Sequence, residues 1–194
     1  MLKQANLQSQ LHSDVGEPRF ALNSLYLQNY DFSEHFLEPK KLEQGHKSRQ
    51  FSVCTSLNLQ DLRCFEAVKN QYESWGVIFK NCVAIQPSNP AFPTDSGKVV
   101  MMGGPKGGLL EVTFLSPVKF VSTYVTSSQK LIMSAYDSDR HLLHQAVLPS
   151  PNLAQSDSII QPNQLLSVSG DNIHHVVFSA FDGQFTIDKF CFCS

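Results

Sequence analysis

Beyond residue 50 the chain is written in short apolar or alternating runs of strand length: 52–59, 76–85, 109–114, 118–125, 131–136, 142–148, 165–168, 173–178 and 185–192. Clusters of Gly, Pro, Asn and Ser separate them, which is the grammar of a β-sandwich. Spacings of about 10 to 15 residues leave no room for crossover helices, so the pattern predicts antiparallel sheets. Residues 61–72 hold a turn or a short helix. Asp137-Ser-Asp-Arg140 reads as a hairpin turn. Three long connections stand out: the proline-rich 86–97, the glycine-rich 101–108 and 149–162. Loops of this kind, at the ends of a sandwich, are where ligand contacts usually fall.

The last run has the sharpest pattern. Strict alternation places Phe185, Ile187, Lys189, Cys191 and Cys193 on one face, and Thr186, Asp188, Phe190 and Phe192 on the other. Both faces are largely apolar, so this stretch predicts a central strand covered on both sides. A carboxylate set into such a strand must be paired, hydrogen-bonded or bound to a metal. Hydrogen bonds to backbone amides and an ion pair with Arg63 or Lys189 are the alternatives to a metal at Asp188.

Residues 1–50 differ from the rest. They are polar, rich in Gln, Asn, His and Lys, and carry one apolar cluster from Phe20 to Phe32. Leu22, Leu25, Tyr26 and Tyr30 recur at helical spacing while Leu25 and Leu27 alternate, and period alone does not choose between them. The reading is an N-terminal arm and linker, 1–50, of mixed or irregular structure, preceding a sandwich domain at 51–194. The arm is also a candidate docking segment for a protein partner.

Composition narrows the function. Charged residues make up 16% of the 194 and sum to a formal net charge of −2. Without a basic stripe, neither nucleic acid nor an anionic membrane surface is expected as a partner. No stretch approaches the roughly 20 apolar residues of a transmembrane helix. The first residues lack a signal-peptide core, so the chain as it stands reads as cytoplasmic, and as secreted if it is a mature or truncated form. Five cysteines, an odd number scattered through apolar runs, fit reduced thiols in the core better than a disulfide framework. Cys191 and Cys193 supply only half of a tetrahedral zinc site.

Catalytic signatures are missing from the pattern. There is no nucleophile elbow, and the glycines at 103–108 lack the ending of a phosphate loop. Glu66, Glu73 and Glu111 have no spacing that promotes them as an acid/base pair. His141 with His144, and His174 with His175, fall on opposite strand faces and do not chelate. Trp75 is a candidate sugar-stacking platform, although its strand parity with Val77 and Phe79 favours the core for it and for Tyr72.

Several of these runs carry a resemblance. Residues 71–79, Gln-Tyr-Glu-Ser-Trp-Gly-Val-Ile-Phe, look like the Q-Y-x-x-x-G-V-x-F signature of bacterial jelly-roll β-sandwiches. Leu57-Asn-Leu-Gln-Asp-Leu62, the 135–143 hairpin, and the closing pair His175-Val-Val-Phe178 and Phe185-Thr-Ile-Asp-Lys-Phe190 match the group's other motifs in order. The group occurs in exosortase-sorted surface proteins and is similar to galactose-binding-like carbohydrate-binding modules. Gln60, Arg140 and Lys189 depart from its pattern. Over about residues 52–193 the resemblance implies a jelly roll with non-catalytic binding, of carbohydrate, through loops at one end. The alternative is an intracellular adaptor that docks a protein through the arm. The resemblance also implies a structural calcium held by Asp188 and, most nearly, Asp61.

Overall fold

The computed structural model describes residues 53–104 and 108–194. Ten strands form one hydrogen-bonded network: β1 (Cys54–Ser56), β2 (Ala67–Val68), β3 (Val77–Lys80), β4 (Cys82–Ile85), β5 (Val100–Gly103), β6 (Leu109–Ser127), β7 (Leu131–Tyr136), β8 (Leu142–Leu148), β9 (Gln164–Ser179) and β10 (Phe185–Cys193). Every pairing between them is antiparallel. The order is β2-β4-β5-β10-β6-β9-β7-β8, with β1 added to β10 and β3 to β6. The expected all-β, antiparallel jelly-roll sandwich is therefore what the described chain forms. The N-terminal arm, with its proposed docking role, lies outside the described residues.

Two long strands build both layers. The first part of β6, 109–113, pairs with the end of β9, 175–179, and the later part, 120–125, pairs with the start, 164–169. Register shifts lie between these stretches, and a shift of this kind bends a strand. The residues explain the bends. Pro117 has no amide to give the ladder, and Gly170-Asp171-Asn172 ends on a left-handed Asn172 with φ 74°. One layer then holds β3, the first half of β6, the second half of β9, β7 and β8. The other holds β2, β4, β5, β10 and the remaining halves.

Aromatic pairs join the layers through one core. Phe79 of β3 meets Phe190 of β10 at 5.4 Å between centroids, Phe114 of β6 meets Phe192 at 5.2 Å, and Phe178 of β9 meets Phe185 at 6.2 Å. Each buried phenylalanine stabilises the fold by about 1.5–3 kcal/mol relative to an exposed one.

Four sequence expectations are corrected here. First, strict alternation fails in β10. Asp188 faces Tyr124 and Cys191 faces Ser122, so one extra residue is accommodated between them, with Lys189 left-handed at φ 49°. This bulge switches parity, and Phe185, Ile187, Phe190 and Phe192 all reach the core. Second, the run 76–85 is two strands. Asn81, at φ 58°, turns the chain out of the layer of β3 and into that of β4; asparagine tolerates this region better than most residues. Third, part of the glycine-rich 101–108 connection is strand: Met101, Met102 and Gly103 belong to β5. Fourth, the thiols are not all reduced. Cys54 and Cys193 are direct cross-strand neighbours in β1 and β10 and form a disulfide, leaving Cys64, Cys82 and Cys191 free. Burial drives the Cys82 thiol above its ordinary range and raises that of Cys191.

Candidate functional site

The site is built from two consecutive turns between β1 and β3. Asn58 opens the first by accepting the Gln60 amide at 3.2 Å and donating to Asp61 at 3.0 Å. Leu59 and Leu62 plug into the core, which leaves Asp61 and Arg63 at the surface. The chain then reverses through Arg63–Glu66. The Glu66 amide donates to the Arg63 carbonyl at 3.1 Å, and the Arg63 amide donates to Glu66 Oε1 at 2.6 Å.

The second turn carries the aromatic residues. Gln71 locks it, accepting the Lys69 amide at 2.6 Å and donating to the Ala67 carbonyl at 2.9 Å. A 3-10 turn over Glu73–Trp75 follows and ends at Gly76, whose φ of 82° suits glycine. That left-handed residue breaks the parity linking Trp75 to Val77. Trp75 is therefore not a core residue, as alternation suggested, but 61% exposed. Tyr72 is in the core as expected. Its ring meets Phe79 edge-on at 6.0 Å, and its hydroxyl donates to the Asn58 carbonyl at 2.8 Å, tying the turns together. Burial pushes the Tyr72 phenol up to about 12, with Asp61, Cys82 and Glu66 adding to it, so it remains a donor at neutral pH.

Between the turns lies a cleft of about 290 Å³ lined by Asp61, Leu62, Arg63, Glu66, Gln71, Tyr72 and Trp75. Asp61 and Glu66 each have one carboxylate oxygen engaged by an N–H of the same turn. The second oxygens and the Arg63 guanidinium are unengaged among the described residues. Chemically the cleft offers an aromatic face, carboxylate acceptors and a planar donor.

Asp188 is elsewhere. It is 2% exposed on β10 and accepts four hydrogen bonds: from the Asp95 amide at 2.9 Å, the Ser96 amide at 3.0 Å, the Lys189 amide at 2.8 Å and the Ser96 hydroxyl. Of the alternatives for this acid, hydrogen bonding to backbone amides is the one the structure has. The Lys189 ammonium pairs instead with Asp95. Asp61 and Asp188 share no hydrogen-bond partner among the described residues.

Two further features lie outside the Trp75 cleft. Asp137, Asp139 and His141 bring three potential ligand atoms within 4.8 Å of one another, but they are joined as the expected hairpin turn: Asp137 accepts the Asp139 amide at 2.9 Å and the His141 amide at 2.8 Å. The His141 amide foremost holds the Asp137 carboxyl below its usual range. On the other flank of the Arg63–Glu66 turn, Phe65, Ile85, Pro87, Phe92, Met102, Gln184 and Thr186 line a groove of about 240 Å³. A phenylalanine that is solvent-exposed in a turn leaves no periodic signal in a sequence.

No family model matches the chain, and no curated protein matches it. Among solved structures, a CBM29-2 mutant complexed with mannohexaose is similar at 14% identity and a TM-score of 0.42, over 74% of this chain and 92% of that one. A DUF4465 family protein from Bacteroides caccae is similar at 11% identity and a TM-score of 0.42, over 86% and 96%. A family 29 carbohydrate-binding module gives 12% and 0.40, over 74% and 89%. At these values nothing about ligands transfers from them. Among the described residues no helix is long and apolar enough to cross a membrane.

Proposed function

We propose that this domain is a non-catalytic carbohydrate-binding module whose ligand stacks on Trp75. The observation that carries the reading is an indole left 61% exposed at the rim of a concave, polar cleft. Sugar rings present an apolar face of C–H groups to an aromatic plane and hydroxyls around the edge. Asp61, Glu66 and Arg63 are placed to accept from and donate to such hydroxyls, and the two carboxylates are steadied by their own turns as acceptors. The Tyr72–Asn58 hydrogen bond holds the cleft in shape before the ligand arrives, which reduces the ordering cost of binding.

The Cys54–Cys193 disulfide supports an oxidising location, in line with the secreted surface proteins that the sequence resembles. Trp75 is the only tryptophan of the chain, so its fluorescence reports the cleft directly. A glycan array identifies binders. Addition of a bound glycan should blue-shift the emission and protect it from iodide quenching, and Trp75→Ala should abolish binding while leaving the melting temperature within about 2 °C, as expected for an exposed side chain. An array silent at high protein concentration, or retained binding in Trp75→Ala, defeats the reading.

A further inference from the structure

Phe65 is a large apolar residue left in solvent at the tip of a turn, beside an apolar groove. Its side chain is 80% exposed. Its backbone is left-handed, φ 67°, a region that strains any bulky side chain and that glycine or asparagine would occupy more readily. The turn itself asks only for the backbone: the Phe65 amide donates to the Ala84 carbonyl at 2.7 Å, and the Ala84 amide to the Glu66 carbonyl at 2.9 Å. A strained conformation held in place by its surroundings points to a use for the side chain.

Its position supplies that use. Arg63 and Glu66 line the Trp75 cleft, while Phe65, between them, lines the second groove. The two depressions are thus the two flanks of one β-turn, whose ends lie within roughly 7 Å of each other. The groove floor is apolar, with Pro87 and Met102, and its rim carries Gln86 and Gln184. The side-chain amides of those two glutamines make no hydrogen bond among the described residues, so each can donate to and accept from a hydroxyl. Like the cleft next door, the groove sets an aromatic face beside hydrogen-bonding groups, here neutral amides in place of carboxylates and a guanidinium.

We infer that the ligand is an oligosaccharide chain rather than a single terminal sugar: it stacks on Trp75, crosses the Arg63–Glu66 turn and stacks again on Phe65. This rests on the sugar reading of the Trp75 cleft. One ring cannot cover two platforms on opposite flanks of a turn, so the second platform contributes only when the chain is long enough to reach it.

The test is electrophoresis of the full chain through gels containing glucomannan, galactomannan, xyloglucan, xylan, mixed-linkage β-glucan or pectin, followed by calorimetry with two- to six-unit fragments of a retarding polymer. Affinity of the wild type should rise about tenfold or more from disaccharide to hexasaccharide, the scale expected of one buried aromatic contact. Phe65→Ala should keep the disaccharide affinity and lose the rise. Phe65→Gly should do the same while raising the melting temperature, because glycine relieves the backbone strain; that separates a ligand role from damage to the fold. Trp75→Ala should lose both. An unchanged length dependence in Phe65→Ala and Phe65→Gly, with binding abolished in Trp75→Ala, overturns this inference and leaves the cleft reading standing. Wild-type protein that no polymer retards, or Trp75→Ala that binds like wild type, overturns both.

Discussion

Ser96 donates to both carboxylate oxygens of Asp188, through its amide to Oδ2 at 3.0 Å and through its hydroxyl to Oδ1. With the Asp95 and Lys189 amides completing the set, the proline-rich loop is pinned across the outer face of β10. The neighbouring side chains repeat the fastening, since Lys189 pairs with Asp95 and stands 5.2 Å from the Tyr124 ring centre. Asp188→Ala would leave several donors without an acceptor, and hydrogen bonds to a charged group count for about 1.5–3 kcal/mol each. The expected loss is about 3 kcal/mol in urea unfolding, with Asp188→Asn intermediate because one oxygen remains. Wild-type stability in Asp188→Ala would contradict the pinning.

The same site bears on the calcium implied by the sequence resemblance. The groups surrounding the Asp188 carboxylate are donors, which suit an anion and leave a cation poorly served. EDTA should therefore leave the melting temperature of calcium-loaded protein unchanged. A drop on chelation that disappears in Asp188→Asn would assign an ion to this carboxylate.

The disulfide closes a sequence separation of 139 residues. On the chain-entropy view a loop of that size constrains the unfolded ensemble by about 5 kcal/mol. β1 itself buries little, and the core contact resumes at Leu57, whose amide donates to the Phe190 carbonyl at 2.9 Å. Cys54→Ser should lower stability by several kcal/mol, up to that limit. Peptide mapping of unreduced protein should recover Cys54 linked to Cys193, with Cys64, Cys82 and Cys191 alkylatable once unfolded. Linkage through Cys191 would contradict the pairing.

His175 sets a pH dependence. Burial lowers its pKa below the ordinary value, Arg140 and His174 act in the same direction, and Glu111 opposes them. Its Nδ1 lies 3.3 Å from the Thr113 hydroxyl. The folded state therefore takes up a proton less readily than the unfolded chain. Stability should be flat above the unfolded value near 6.5 and should fall as pH drops from there through the folded value. His175→Gln should flatten that slope, as followed by thermal melts across pH 5–8. A profile identical to wild type would place the dependence elsewhere.

The strands were legible because alternation and turn residues are local. The halves of β6 and β9 appear in the sequence as 109–114 with 118–125, and 165–168 with 173–178; what sequence does not carry is that each pair is one bent strand. Asp188 stood out because a carboxylate among phenylalanines needs a partner, yet its partners, Asp95 and Ser96, lie more than 90 residues away. The Lys189 bulge was invisible because one extra residue changes parity without changing composition. The same limit hid the disulfide: Cys54 and Cys193 meet only once β1 is registered on β10. For Trp75, a candidate platform, strand parity with β3 favours the core, but at Gly76 the backbone turns left-handed and the period stops. Phe65 could not have been found by pattern, since what marks it is a backbone angle.

The continuity of β6 and β9 through both layers has a consequence for how the domain comes apart. Neither layer owns its central strands, so no cut in the chain yields one layer with its hydrogen-bond ladder complete. Opening one face pulls the rails out of the other. The sandwich should accordingly melt in a single cooperative step, and variants built by exchanging one layer for that of a related sandwich would have to exchange the other as well.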